Sequence, residues 1–208
     1  MSPKREIRVE PPYNPLDKKN LGVSVADAML ARPVEKLPPE EPFIGAGIYA
    51  IYYVGNFPAY KPIAEKNAKK KFAQPIYVGK AVPAGARIGG ALDSNPGTVL
   101  YGRLRQHAAS IKRTKKLDIK DFFCRYLVVD DIWIPLGETL LIQGFSPLWN
   151  KVVEGFGIHD PGSGRHGQKL SAWDVLHGGR SWGGKLKPGK RTEEEILAAI
   201  RAFHERID

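Results

Sequence analysis

The 208-residue sequence predicts an α/β fold, a small mixed β-sheet flanked by helices. Three observations carry that reading. Two apolar runs rich in tyrosine, GIYAIYYV from Gly47 and IYVGK from Ile76, have the length and composition of strands. A helix-period apolar stripe follows in residues 99–112. A third apolar run, FFCRYLVV at 122–129, then precedes a second helical stretch, giving the core order β-β-α-β-α-β.

Taken along the chain, residues 1–20 are polar and carry Pro3, Pro11, Pro12 and Pro15, the composition of an arm. Residues 23–31 form a short helix stopped by Pro33, and KLPPEEP at 36–42 is a stiff linker. Residues 1–42 thus make an N-terminal arm with a short helix, ahead of a core at 43–153. In the first core strand, 45–54, Tyr49, Ile51 and Tyr53 alternate with Ile48, Ala50, Tyr52 and Val54. Both faces are apolar or aromatic, which predicts a central strand covered on both sides. Residues 56–74 are an inserted basic loop, rich in lysine around EKNAKKK, and 75–80 form the second strand. A loop rich in glycine and proline spans 81–97. The helix at 99–112 buries Leu100, Leu104, Ala108 and Ile111. Pro135 opens the second core helix, 136–144, at its first position, and Pro147 stops it. Residues 149–153 read as a short final strand. Residues 154–208 form a C-terminal extension of loops and a terminal helix: EGFGIHDPGSGRHG, the turn SAWDVLH, GGRSWGGKLKPGKR and a last helix. That helix opens on a capping box, Thr192 with Glu195, and presents Ile196, Ala199, Ile200 and Phe203 on one face.

Composition narrows the partners. Lys and Arg outnumber Asp and Glu by 32 to 22, a net charge of +10 that favours a polyanion, most often nucleic acid. Cys124 is the single cysteine, so an intrachain disulfide and a thiolate zinc cluster are excluded. The five histidines lack zinc-finger spacing. No run approaches the roughly 18 apolar residues of a membrane span, and the first twenty residues hold no secretory h-region. A cytoplasmic protein without a membrane partner is expected.

Several polar residues sit where apolar ones would be ordinary. Glu138 shares a helical face with Leu141, Ile142 and Phe145. A carboxylate there either binds a cation such as Mg²⁺ or is a first-turn glutamate favoured by the helix dipole; spacing leaves both open. Arg103 and His107, at i and i+4, either hold a phosphate beside the apolar stripe or form a solvated basic edge, while Arg105 points further away. Strand propensity alone accounts for Tyr49 and Tyr77, although a buried phenol wants a partner. Lys80 reads equally as a surface lysine. His159, Arg165, His166 and Arg180 lie in glycine-rich loops, where an arginine either reaches a guanine edge or is simply solvated.

The order of these residues is more telling than any one of them. GIY at 47–49, YVG at 77–79, Arg103 and His107 on a helix, Glu138 and then Asn150 make a succession that resembles the GIY-YIG nuclease superfamily over residues 45–153. The enlarged gap between the tyrosine motifs, YVGKAVPAG and GFGIHDPGSGR resemble its restriction endonuclease branch, whose most similar members recognise the palindrome CCGCGG as dimers. The resemblance implies a type II restriction endonuclease, a homodimer on double-stranded DNA that uses Mg²⁺, with Mn²⁺ as substitute. It implies Glu138 as the metal ligand, Arg103 at the scissile phosphate, Tyr49 and His107 handling the attacking water, and Tyr77 placing water or phosphate. Asn150 would brace the site and Lys80 would assist. Arg87 and Arg165 are the expected base readers, with Arg105, His159, Lys69 and Lys70 as further DNA contacts. A repair or homing nuclease of the same superfamily, or a DNA- or RNA-binding module without the chemistry, are the alternatives.

Overall fold

Both faces of the strand that carries GIY are covered, and the whole architecture follows from that. The computed structural model describes residues 14, 16–83, 96–158 and 167–207. Four antiparallel strands form one sheet in the order β1-β4-β2-β3. They are β1 (Glu35–Lys36), β2 (Gly47–Tyr53), β3 (Tyr77–Ala81) and β4 (Phe122–Val128). The α/β class expected from sequence therefore holds, with every described strand pair antiparallel. The helices are α1 (Lys18–Leu30), α2 (Lys61–Asn67), α3 (Val99–Lys112), α4 (Ile134–Phe145), α5 (Leu148–Lys151), α6 (Ala172–His177) and α7 (Glu193–Ile207).

All seven residues of β2 are buried, and the six after Gly47 split between two clusters by the alternation of a strand. Tyr49, Ile51 and Tyr53 pack with Leu100, Leu104, Ala108 and Ile111 of α3, and with Trp149, Trp173, Ile196 and Ile200. Ile48, Ala50 and Tyr52 pack with Met29 of α1 and with Ile134 and Leu141 of α4. Each such aliphatic side chain contributes about 1.5–3 kcal/mol on burial. Gly137 brings α4 against β2, since a Cβ there would lie 2.9 Å from both Ile48 Cδ1 and Val25 Cγ1. Trp173, Leu176, Ile196, Ile200 and Phe203 belong to the same core as β2 and α3. The expected capping box closes α7: Thr192 N–H donates to Glu195 Oε2 at 2.8 Å, and Glu195 N–H to Thr192 Oγ1 at 3.2 Å.

Four local expectations are corrected. Residues 149–153 are not a strand; α5 restarts after the extended Pro147, and its Trp149 N–H donates to Ile76 O at 2.9 Å. The linker at 36–42 begins inside a strand, because Glu35 and Lys36 pair with Cys124 and Phe123. The short first helix starts earlier, at Lys18. The basic insertion is partly helical, since Pro58 and Pro62 sit at first-turn positions of a 3₁₀ turn and of α2. Buried Asn67 closes that insertion by donating to Tyr53 O and Gln74 O and accepting from Gln74 N–H. Among the described residues no helix is long and apolar enough to cross a membrane.

Candidate active site

Pairing between β2 and β3 sets Tyr49 opposite Gly79. A Cβ at residue 79 would lie 2.4 Å from Tyr49 Oη, so the glycine of YVG makes room for the phenol of GIY. Tyr49 Oη lies 2.6 Å from His107 Nε2, and both residues are enclosed, at 0% and 2% exposure. The Tyr77 ring stands beside them, its centroid 6.2 Å from that of Tyr49 and 5.4 Å from that of His107. Burial pushes the Tyr49 hydroxyl pKa well above its ordinary value; Tyr77 adds to this and Arg103 opposes it. Burial also raises Tyr77, again against the pull of Arg103 and with a further push from Glu138. Both phenols are therefore neutral, with their hydroxyl protons in place.

Arg103 lies one helical turn before His107 on α3. Its Nη2 donates to Gly157 O at 2.6 Å, and Nη1 to Gln106 Oε1 at 3.4 Å. The His107 ring stacks on Phe156 at 4.5 Å, with 20° between the planes. The turn after α5 thus touches both residues. Gly157 has no room for a side chain, because a Cβ would lie 2.5 Å from Tyr77 Oη.

A cavity of about 580 Å³ opens along β3, the outermost strand on this side of the sheet. Tyr77, Lys80, Arg103, Gln106 and Glu138 line it. Lys80 pairs with Ile48 across the sheet, and Gly137 rests on Ile48, so the next residue of α4 meets the lysine. Lys80 Nζ and Glu138 Oε2 are 2.6 Å apart, with the glutamate side chain 20% exposed. Asn150 grips the edge of β3: Oδ1 accepts from Val78 N–H and Nδ2 donates to Val78 O, both at 2.8 Å.

The site expected from sequence is thus partly one surface and partly a layer beneath it. Tyr77, Lys80, Arg103 and Glu138 share the cavity, Tyr49 and His107 lie behind Tyr77, and Asn150 holds the strand. Lys69 and Lys70 lie in the insertion that leads into the Tyr77 end of β3, away from Lys80 at the other end, with left-handed φ of 55° and 61°. Arg105 is exposed, its guanidinium 5.9 Å from the Tyr101 ring centre. Arg87, His159 and Arg165 lie outside the described residues. Arg180 is neither solvated nor a base reader here; it is buried in an ion pair with Asp174. Phe156 and Gly157 escaped the sequence reading as site neighbours, although the triplet GFG, a bulky ring between two glycines, marks a turn packed against something.

Among the described residues that line the cavity, Glu138 is the candidate to hold a metal. Its carboxylate borders the cavity and already faces one cation, the Lys80 ammonium. Among the described residues no group of three or more His, Cys, Asp or Glu converges. One protein carboxylate, completed by phosphate and water oxygens, suits a hard ion that keeps much of its hydration.

Neighbouring antiparallel strands that present the tyrosines of GIY and YVG, beneath helices bearing arginine, histidine and glutamate, define the class: a GIY-YIG nuclease, a hydrolase acting on DNA. The Eco29kI GIY-YIG domain family matches residues 41–204, and the chain belongs to that family. A search of the curated proteins found no match.

Proposed function

We propose that the protein is a type II restriction endonuclease that hydrolyses phosphodiester bonds in double-stranded DNA at a short GC-rich palindrome, CCGCGG. The observation that carries this reading is the convergence of Tyr77, Lys80, Arg103 and Glu138 on one cavity, with the Tyr49–His107 pair directly behind. Membership in the Eco29kI GIY-YIG domain family and the resemblance to CCGCGG-recognising enzymes support the restriction role and the target. A palindrome calls for a two-fold assembly, so the working form is a homodimer with one site per strand. A guanine-rich target favours arginine readers, and Arg87 and Arg165 are the candidates.

The backbone of the duplex enters the cavity along β3. Arg103, anchored by one arm on Gly157 O, turns its positive charge to the scissile phosphate and stabilises the charge that grows on it. Glu138 would hold Mg²⁺, or Mn²⁺ in its place, together with phosphate and water oxygens. When bound, the ion supplies Lewis-acid polarisation and lowers the pKa of a coordinated water. Lys80 keeps the Glu138 carboxylate turned to the cavity and adds positive charge beside the phosphate. Tyr77 lines the cavity and positions the attacking water, whose oxygen bonds to phosphorus as the bond to the leaving oxygen breaks in line, and the leaving oxygen takes a proton from solvent. Tyr49 is enclosed, so it acts as a relay. The proton lost by water passes through the neutral phenols of Tyr77 and Tyr49 to His107 Nε2, and both phenols end neutral. Asn150 keeps β3, and hence Tyr77 and Lys80, in register.

Plasmid DNA digested with Mg²⁺, in parallel with EDTA, tests the reading. Discrete fragments whose sequenced ends fall within CCGCGG are expected with Mg²⁺ alone. Smearing or structure-specific nicks would make the protein a repair or homing nuclease, and binding without cleavage would remove the enzyme altogether.

A further inference from the structure

Arg180 follows α6 in a basic, glycine-rich loop, yet its side chain is 0% exposed. Its Nη1 lies 3.3 Å from Asp174 Oδ1, and Asp174 is fixed in turn by Ser171 Oγ, which donates to Oδ2 at 2.6 Å. Trp173 and Trp182 flank the guanidinium, with ring centres at 4.4 and 5.4 Å. An enclosed ion pair of this kind adds little stability compared with apolar packing, so what the guanidinium holds matters more than its charge. Nη1 donates to Gly155 O at 2.9 Å and Nη2 donates to Phe156 O. The Phe156 ring is the one stacked on His107, and the next carbonyl, Gly157 O, is the one that accepts from Arg103.

We propose that Arg180 is a positioning residue for the nuclease site, acting through the 155–157 turn on Arg103 and His107. This rests on the endonuclease reading above. Asp174 pairs with Nη1 while Trp173 and Trp182 flank the guanidinium, the guanidinium fixes two successive carbonyls, and those fix the turn. The turn then sets the angle of Arg103 to the phosphate and the tilt of His107 towards Tyr49. Only arginine offers two donors in a rigid fork; lysine keeps the charge and loses the geometry. Gly155 adopts a left-handed φ of 104°, and a Cβ there would lie 2.1 Å from Ser171 Cβ, so the turn is held tightly from the α6 side as well.

The test is single-turnover cleavage with saturating protein, alongside duplex affinity in EDTA, for Arg180→Lys alone and in an Arg103→Lys background. Arg180→Lys alone is expected to slow cleavage about 10–100-fold, as a displaced catalytic group does, with duplex affinity changed less than about threefold. In the Arg103→Lys background the further loss is expected to fall below about threefold, because the two changes act on one unit. Equal fold-losses in both backgrounds, or a folded Arg180→Lys protein with the parent rate, would overturn the proposal. Should Arg180→Lys not fold by circular dichroism, Asp174→Asn, which keeps the fork and removes the charge paired with its Nη1, carries the same comparison. A parent that cuts no duplex overturns the endonuclease reading instead. The linkage is then judged by NMR of the Arg103 Nε–Hε and His107 ring signals, which must move in Arg180→Lys and which, if unmoved, sink it.

Discussion

Tyr49 Oη meets His107 Nε2 at 2.6 Å, and Tyr60 Oη meets His177 Nε2 at the same distance. All four residues are buried, and an aromatic path through Phe156 and Trp149 joins the pairs across one core. Their surroundings differ. The first pair has Arg103 and Tyr77 against it, and those two line the cavity that Glu138 and Lys80 share. The second is walled by Phe57, Trp149 and Trp173. Burial and nearby positive charge, from Lys116 and Arg180, push the His177 pKa down to about 3. The same hydrogen bond is thus a support in one place and a candidate proton path in the other. The cavity next to the first pair, and the residues that line it, make the difference, not the pair.

The comparison can be broken most forcefully at the cavity. Glu138→Ala, which strips the candidate metal ligand beside the first pair, is expected to lower single-turnover cleavage by about 10³-fold or more. A variant that cuts at a rate close to the parent's would mean that no ion is held there. Arg103→Ala is expected to cost about 10²–10³-fold in the same assay, the size seen when one charge-stabilising donor is lost. Phe57→Leu, beside the second pair, should stay within about twofold of the parent rate.

Smaller effects sharpen the contrast from the structural side. Below its unfolded pKa of 6.5, His177 takes up a proton in the unfolded chain but not in the folded one until near pH 3. Stability therefore falls as pH drops through that window, by about 2 kcal/mol between pH 6.5 and pH 5. Urea midpoints across these pH values should show that slope, and His177→Gln should flatten it. Tyr60→Phe leaves a buried imidazole nitrogen without its phenol, at a cost of about 1–3 kcal/mol in a urea titration at pH 7.

Much of this was legible in the residues. The double-faced burial of β2 follows from its unbroken apolar alternation, and α3 has the bounds that its stripe indicates. Glu138 stood out because a carboxylate among Leu141, Ile142 and Phe145 needs a partner, and in the fold that partner is Lys80 across the open edge of the sheet. What stayed hidden depends on long-range contacts that no local pattern encodes. A two-residue edge strand such as β1 has no periodicity to read. Pro147 ends α4 as its type indicates, yet its extended backbone also leads straight into α5, which no local pattern announces. Arg180 looks like any loop arginine until Asp174, Gly155 and Phe156 close around it, and Tyr60 and His177, 117 positions apart, carry no sign of each other.

The central claim is that the pair lying behind the cavity, not the one walled in by Phe57, Trp149 and Trp173, belongs to the reaction. Tyr49→Phe and Tyr60→Phe, assayed together in single-turnover cleavage of one duplex, decide it. Tyr49→Phe is expected to fall by about 10²–10⁴-fold, the range of a lost proton-transfer group, while Tyr60→Phe stays within about twofold of the parent. Matching rates for the two variants, whether both fast or both slow, would contradict it.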